Sequence, residues 1–250
     1  MQKDQLRILT YNIHKGFSAG NRKFILPQLR EALIKADADI LFLQEIQGEN
    51  TKHAKIHPSW PDNSHSEFLA QNTWPHVIYA KNAIYNVGHH GNAILSKHAL
   101  HSWENINVSP YGKASRSLLH GVIQLPNISH DLHIICIHLG VIGIERRYQF
   151  KTLFNRIEEH VPHNAPLIVA GDFNDWTGQA EKRFAKQLDL NEAHKTLHDQ
   201  HAKTWPAWLP ILKMDRIYYR GIQPLSCERP THGLWSNLSD HNPLLATFEI

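Results

Sequence analysis

Cysteine is almost missing from this chain of 250 residues. Cys136 and Cys227 are too few for a disulfide framework. Cys136 sits in the apolar run 132–137 and reads as a small buried hydrophobe, so a reducing compartment and a cytoplasmic location are expected. Long apolar runs are missing too. No window approaches the roughly 18 apolar residues of a membrane span, and Met1-Gln2-Lys3-Asp4 carries no signal-peptide core. No repeat, low-complexity tract or linker-like stretch divides the sequence, so one domain over 1–250 is expected. Neither sign of charge dominates. The 26 basic and 23 acidic residues leave +3, which permits an anionic substrate without demanding one. Lysines and arginines are scattered rather than clustered, which weakens the case for a nucleic-acid groove. Histidine, by contrast, is plentiful. The 20 imidazoles would make the chain strongly cationic at acid pH.

Strand and helix patterns alternate. Residues 6–12 alternate apolar and polar side chains and predict a strand. Leu26, Leu29, Leu33 and Ala36 fall at helical spacing within 24–36, where Pro27 is tolerable only in the first turn. Residues 39–45 predict a short buried strand. If the crossover is right-handed, both strands end at one sheet edge, with Asn12 and Glu45 side by side where α/β sheets place their ligands. Further strands are expected at 92–96, 117–125, 132–138, 167–171, 214–219 and 244–250. A second helix is expected at 145–161, with Phe150, Leu153, Phe154, Ile157 and Val161 on one face. Strands outnumber helices, so the expected fold is a mixed-sheet sandwich with helices outside.

Polar clusters sit at the ends of these strands: Thr10-Tyr11-Asn12, Gln44-Glu45, His138-Leu139-Gly140, Asp172-Phe173-Asn174-Asp175, Asp215-Arg216 and Ser239-Asp240-His241. The chemistry fits phosphodiester cleavage. A hard cation wants oxygen ligands, which makes Glu45 the best metal ligand, with Asn12 and Asp240 as helpers. His241 titrates near neutrality and suits a general base, and Asp215 suits its orienting partner. Asp172 and Asn174 are two apart and, in an extended segment, would face one side, placing Asp172 at the attacking water and Asn174 at a phosphate oxygen. Asp175 reads as structural, and Thr177 as a helix cap.

The motifs resemble the exonuclease/endonuclease/phosphatase superfamily, which includes pancreatic-type deoxyribonucleases, abasic-site endonucleases, neutral sphingomyelinases and inositol polyphosphate 5-phosphatases. The matching residues are Thr10-Tyr11-Asn12, Gln44-Glu45, Gly91-Asn92-Ala93-Ile94-Leu95-Ser96, His138-Leu139, Gly171-Asp172-Phe173-Asn174, Asp215-Arg216-Ile217 and Ser239-Asp240-His241-Asn242-Pro243. They follow the family's order along nearly the whole chain. The opening Asn12-Ile13-His14-Lys15-Gly16 resembles a bacterial branch. The resemblance implies an α/β (α+β) four-layer sandwich, with two packed mixed β-sheets flanked by helices. It implies Mg²⁺ or Mn²⁺ at Glu45 with Asn12 and Asp240 close by, a His241–Asp215 pair, Asp172 and Asn174 at the scissile phosphate, and a second imidazole at His138. Arg116 resembles a phosphate-contacting arginine of the deoxyribonucleases, and Asn92 joins it as a substrate-binding candidate. The deoxyribonucleases pair their second histidine with an upstream glutamate. Residues 76–86 hold no acid, so His138 has no evident partner.

Each tripeptide alone also has a plainer reading: turn residue, solvated strand end, helix cap or satisfied core histidine. His194, His198 and His201 fall at helical spacing, but without His-Glu-x-x-His they make a poor zinc site. His89-His90 reads as a loop near the site. Residues 205–212, with Trp205 and Trp208, read either as a packed loop or as a loop facing substrate or membrane. The expected function is metal-dependent phosphodiester hydrolysis, nuclease-like, by a monomer with no stable protein partner. A phospholipid or inositol-phosphate substrate is the alternative, and a non-catalytic binding module a remote one.

Overall fold

The expected first unit forms. In the computed structural model, which describes residues 4–110, 115–126, 128–178, 181–235 and 237–250, the chain opens with β1 (Gln5–Asn12), α1 (Leu26–Ala36) and β2 (Ile40–Asn50). Residues 1–3, read above for a signal peptide, lie outside the described part. Pro27 falls in the first turn of α1, where its missing N–H is harmless. Leu26, Leu29, Leu33 and Ala36 form the buried face.

The chain continues through α2 (Thr51–Ile56), α3 (His65–Ala70), β3 (His76–Tyr85), β4 (Gly88–Ser96), β5 (Leu100–Asn107), β6 (Ser117–Ile123) and β7 (Leu132–His138). Next come α4 (Gly143–His160), β8 (Leu167–Asp172), α5 (Glu181–Leu188), β9 (Asn191–Glu192), α6 (Ala193–His198), β10 (Asp215–Arg220), β11 (Gln223–Glu228) and β12 (Leu244–Glu249). One sheet has the order β11-β12-β1-β2-β4-β3, the other β5-β6-β7-β8-β10-β9. Among the described residues, β1–β2 and β7–β8 are the two parallel pairs.

Strand parity decides the layers. Leu6, Ile8, Ile40 and Phe42 from the first sheet meet Ile134, Cys136, Ile168 and Ala170 from the second in one buried core. The opposite parity of the first sheet, including Leu9, Leu41 and Leu43, packs under α1 and α3. Ile135, Ile137, Leu167 and Val169 pack under α4 and α5. The molecule is therefore the expected four-layer α/β sandwich. Each fully buried Leu, Ile or Phe contributes about 1.5–3 kcal/mol.

Several expectations are corrected. Strands β3 and β5 have no strong apolar alternation. Nearly every position of β5 is exposed or half-exposed, because it is an edge strand. Helix α4 begins at Gly143 rather than 145. The three histidines do not share a helix face. Helix α6 ends at His198, and His201 lies beyond it, held at 2.9 Å by both Glu181 and Glu192. Thr177 donates to Asp175, and the residues immediately before α5, where a cap would sit, lie outside the described part.

Two buried histidines outside the strand-end clusters have strongly lowered imidazoles. His65 is packed among Phe24 and Trp60, and neither ring nitrogen has a partner. Burial, with His53 adding to it, pushes its imidazole down to about 3. Burial beside Arg156 pushes His120 down to about 3 as well. Both groups bind protons more readily once unfolded, so they favour the folded state above the ordinary imidazole value and work against it as pH falls. His65 alone should remove about 3 kcal/mol of stability between pH 7 and pH 4. Thermal melts across that range should show the loss, and His65→Leu should reduce its slope. Equal slopes for the two proteins would exclude His65 as a source.

Candidate active site

The strand ends converge because of register. In the second sheet Asp172 pairs with His138 on β7 and with Asp215 on β10. All three continue the parity of the core between the sheets, as do Asn12 and Gln44 in the first sheet. The site is thus the polar end of the inter-sheet core. Asn12, His138, Asp172, Asp215 and His241 are all buried.

Asp172 is the hub. One carboxylate oxygen, Oδ1, accepts from the Asn174 backbone N–H at 3.0 Å. The other, Oδ2, faces the Asn12 amide at 3.2 Å, His138 Nε2 at 3.4 Å and His241 Nε2 at 3.8 Å. The partner that His138 lacked in the sequence is therefore Asp172, one strand over. His241 Nδ1 meets Asp215 Oδ2 at 2.8 Å, the pair expected from the motifs. Ser239 holds this end in place, donating to the Asn12 carbonyl at 2.7 Å and accepting from the His241 N–H.

Asn174 is not in an extended segment. Strand β8 ends at Asp172, and Asn174 takes a left-handed φ of 48°. Its amide donates to the Leu139 carbonyl at 2.9 Å, bracing the turn after His138. Asp175 is structural as expected, paired with buried Arg216.

Glu45 and Asp240 lie at the more open side. Glu45 sits where β2–β4 pairing breaks between Leu43 and Ile46, at a φ of 52°. That break turns its carboxylate out of the strand pattern. Lys15 Nζ is 2.9 Å from it, and the Asn12 amide 3.4 Å. His14 Nδ1 lies 3.3 Å from Asp240 and 3.9 Å from Glu45. Both His14 and Lys15 have positive φ, so a tight turn after β1 aims them back into the site. The sequence showed them only as part of a branch motif. Their adjacency to Asn12 was the available signal.

Asn92 is buried in β4 and donates to the Ser117 carbonyl, next to Arg116, while its own side-chain oxygen is unpartnered. Arg116 is half-buried, and its charge is felt at His138 and His90. His90 lies on β4 rather than in a loop.

The environments of the ionisable groups diverge. Burial raises the Asp172 carboxyl, against the pull of His241 and His138. Burial would lower His241, but the Asp215 charge and hydrogen bond raise it to about 10. Burial, reinforced by Arg116, lowers His138 to about 4. Burial would raise Glu45, but His138, Lys15 and His14 hold it well below the usual carboxylate range. At neutral pH the site therefore pairs an imidazolium at His241 with a neutral imidazole at His138.

Two donor sets are conceivable for a metal. Among the described residues Asp172, Asp215 and His241 form the one group of three acidic or histidine side chains with mutually close ligand atoms. The His241–Asp215 pair already ties up Nδ1 and Oδ2, and this set mixes an imidazole nitrogen with carboxylate oxygens. Glu45 and Asp240 offer oxygens alone, the preference of a hard cation, and Glu45 already draws an ammonium to itself. The second set fits better.

Residues 9–241 match the Endonuclease/Exonuclease/phosphatase family. The chain belongs to that family. An uncharacterized protein of Escherichia coli K12, YbhP, is 40% identical over 252 residues, covering all of this chain and 98% of that protein. The UPF0294 protein VP2298 of Vibrio parahaemolyticus is 26% identical, covering 98% of this chain and 78% of that protein. Among solved structures, an endonuclease/exonuclease/phosphatase from Beutenbergia cavernae superposes with a TM-score of 0.79 at 17% identity, over 98% of this chain and 72% of that one. The human Nocturnin catalytic domain, with bound sulfate, gives 0.72 at 21%, over 99% and 96%. D. rerio TDP2 complexed with a single-stranded DNA product gives 0.72 at 19%, over 98% and 99%. These structures share the fold. The family's enzymes are generally hydrolases of phosphoesters that use divalent metals.

The His241 value is attributed to one carboxylate, which is testable. In Asp215→Asn, NMR titration of the His241 imidazole should move from about 10 to about 6.5 or below, since burial then acts unopposed. An unchanged titration would remove Asp215 as the cause.

Proposed function

We propose that the chain is a phosphodiester hydrolase dependent on a divalent cation, Mg²⁺ or Mn²⁺, acting as one catalytic domain over 1–250. The observation that carries the proposal is the surround of Asp172 Oδ2, where an amide and two imidazoles from three other chain segments converge. Glu45 and Asp240, with the Asn12 side-chain oxygen, would hold the cation, which supplies positive charge against the phosphoryl oxygens.

The chain's own residues do the rest. Asp172, its carboxyl raised by burial, accepts a proton from the attacking water. The water oxygen bonds to phosphorus and the P–O bond to the leaving oxygen breaks; the leaving alkoxide takes a proton from solvent, giving a phosphomonoester and an alcohol. His241 is held protonated by Asp215, so the electrostatics favour it as a donor to a phosphoryl oxygen rather than as the base expected from the sequence. Neutral His138 and the Arg116 charge support the same oxygens. Asn174 braces Leu139 and keeps the turn after His138 in place.

The first substrate reading is nucleic acid. The likeness to a structure holding a DNA product supports it only through the shared fold. A lipid or inositol phosphate is favoured by a separate observation, the exposed apolar side chains of the loop 205–212.

Glu45→Ala, Asp172→Ala and His241→Ala should each lower kcat on bis(4-nitrophenyl) phosphate by about 10² to 10⁴, with circular dichroism unchanged. EDTA should abolish activity and Mg²⁺ or Mn²⁺ restore it. Full activity in all three variants would overturn the mechanism.

A further inference from the structure

Half of the large hydrophobic side chains exposed among the described residues lie on three segments that leave the catalytic strand ends. Val141, Ile142, Ile144 and Tyr148 follow His138 at the start of α4. Trp176 follows Asp172 and Asn174. Trp208, Leu209 and Ile211 lie on a hairpin-like loop closed by Trp205 and Leu212. Trp208 is 76% exposed and Ile144 is 58% exposed. Exposed apolar residues scattered singly need no explanation, but a patch around an active site does.

The segments are joined to each other and to the site. Buried Arg146 donates to the Gly140 and Val141 carbonyls and stacks against Trp176, at 4.8 Å from the ring centroid. Arg216 donates to the carbonyls of Asp175 and Lys213, tying the Trp176 turn to the end of the hairpin-like loop. Ala207 donates its backbone N–H to the Asp240 carbonyl at 2.7 Å. Trp208 then lines a cavity of about 740 Å³ together with Ser18, Arg22 and Lys23, three residues or more beyond Lys15. Aliphatic and aromatic tips with interspersed basic residues thus adjoin the mouth of the site. Exposed Arg147 lies between Ile144 and Tyr148, while Glu145 is turned back against Gly140.

We propose that this rim docks the protein on the surface of a phospholipid bilayer containing anionic lipid, and that the substrate is a phosphate ester in a lipid headgroup. The inference rests on the hydrolase reading above. Three features select this occupant. The apolar groups stand on turns and a helix start, which suits insertion at the headgroup boundary. Most of them are aliphatic, and such side chains offer no face on which a nucleic-acid base stacks. The basic residues among them complement anionic headgroups. A protein covering the same rim would close the site, whereas a bilayer presents phosphate directly to it.

The test is flotation of the full chain with phosphatidylcholine vesicles, with and without phosphatidylglycerol, beside hydrolysis of bis(4-nitrophenyl) phosphate in solution. Wild type should float with the phosphatidylglycerol vesicles. Leu209→Ser with Ile211→Ser, and separately Ile142→Ser with Ile144→Ser, should each weaken binding by about tenfold or more. Both pairs should keep the soluble activity and the melting temperature. Arg22→Glu with Lys23→Glu should remove the preference for anionic vesicles. Wild type that does not float, or serine pairs that float like wild type, would overturn the docking surface. So would a result in which single-stranded DNA displaces the protein from vesicles and both serine pairs lose DNA binding as much as they lose vesicle binding. If the protein floats as described but never hydrolyses the soluble diester, the hydrolase reading fails while the surface stands. If it hydrolyses but does not float, only the docking inference fails.

Discussion

A carboxylate buried between two β-sheets is the constraint on which this structure turns. An unpaired charge at the Asp172 position would be strongly unfavourable. The chain meets that cost from several directions at once. The first sheet sends the Asn12 amide, β7 sends His138, the segment before β12 sends His241, and the turn after β8 supplies the Asn174 N–H. Moving either sheet by one residue would reverse the side-chain parity at its end and replace these donors with outward-facing apolar groups. The geometry of the candidate site and the registration of the sandwich are therefore one arrangement.

The same burial separates two imidazoles that are identical in solution. His241 has Asp215 behind it and stays charged, while His138 has Arg116 nearby and stays neutral. Environments that push like groups apart are how a site assigns proton acceptors and donors at one pH. Glu45 and Asp240 stand on the wetter side, where the Lys15 ammonium meets Glu45 and the His14 ring meets Asp240. The result is a gradient of polarity from the dry inter-sheet core, through Asp172, to an oxygen-rich opening. Beyond that opening lies the rim of exposed apolar residues.

The strand–helix–strand opening, the second long helix and a mixed-sheet sandwich with helices outside were legible in residues such as Leu26, Leu29, Leu33, Phe150 and Leu153, because a repeating apolar pattern reports which face is buried; the four-layer arrangement followed from the family resemblance. Strand β5 was not legible, since an edge strand with an exposed face leaves no pattern to read. Among the candidate site residues, Asn12, Glu45, His138, Asp172, Asp215 and His241 stood at visible strand ends. His14 and Lys15 gave no such signal. Their roles depend on positive backbone angles that fold the chain back, which side-chain spacing does not reveal. The extended reading of Asp172 and Asn174 failed for the same reason.

The sequence by itself determined which chemistries were present at strand ends, which family the chain resembles, and which faces of its elements must be buried. These are local properties, written in periodicity and short motifs. Tertiary structure decided which residues meet: His138 with Asp172 rather than an upstream acid, Asn12 across 160 positions with the same carboxylate, and Trp176 with Arg146 at the rim. It also decided the charge of each imidazole, because that charge depends on burial and on neighbours brought from distant strands. Such contacts are set by sheet register and backbone turns, and these arise only when the whole sandwich closes.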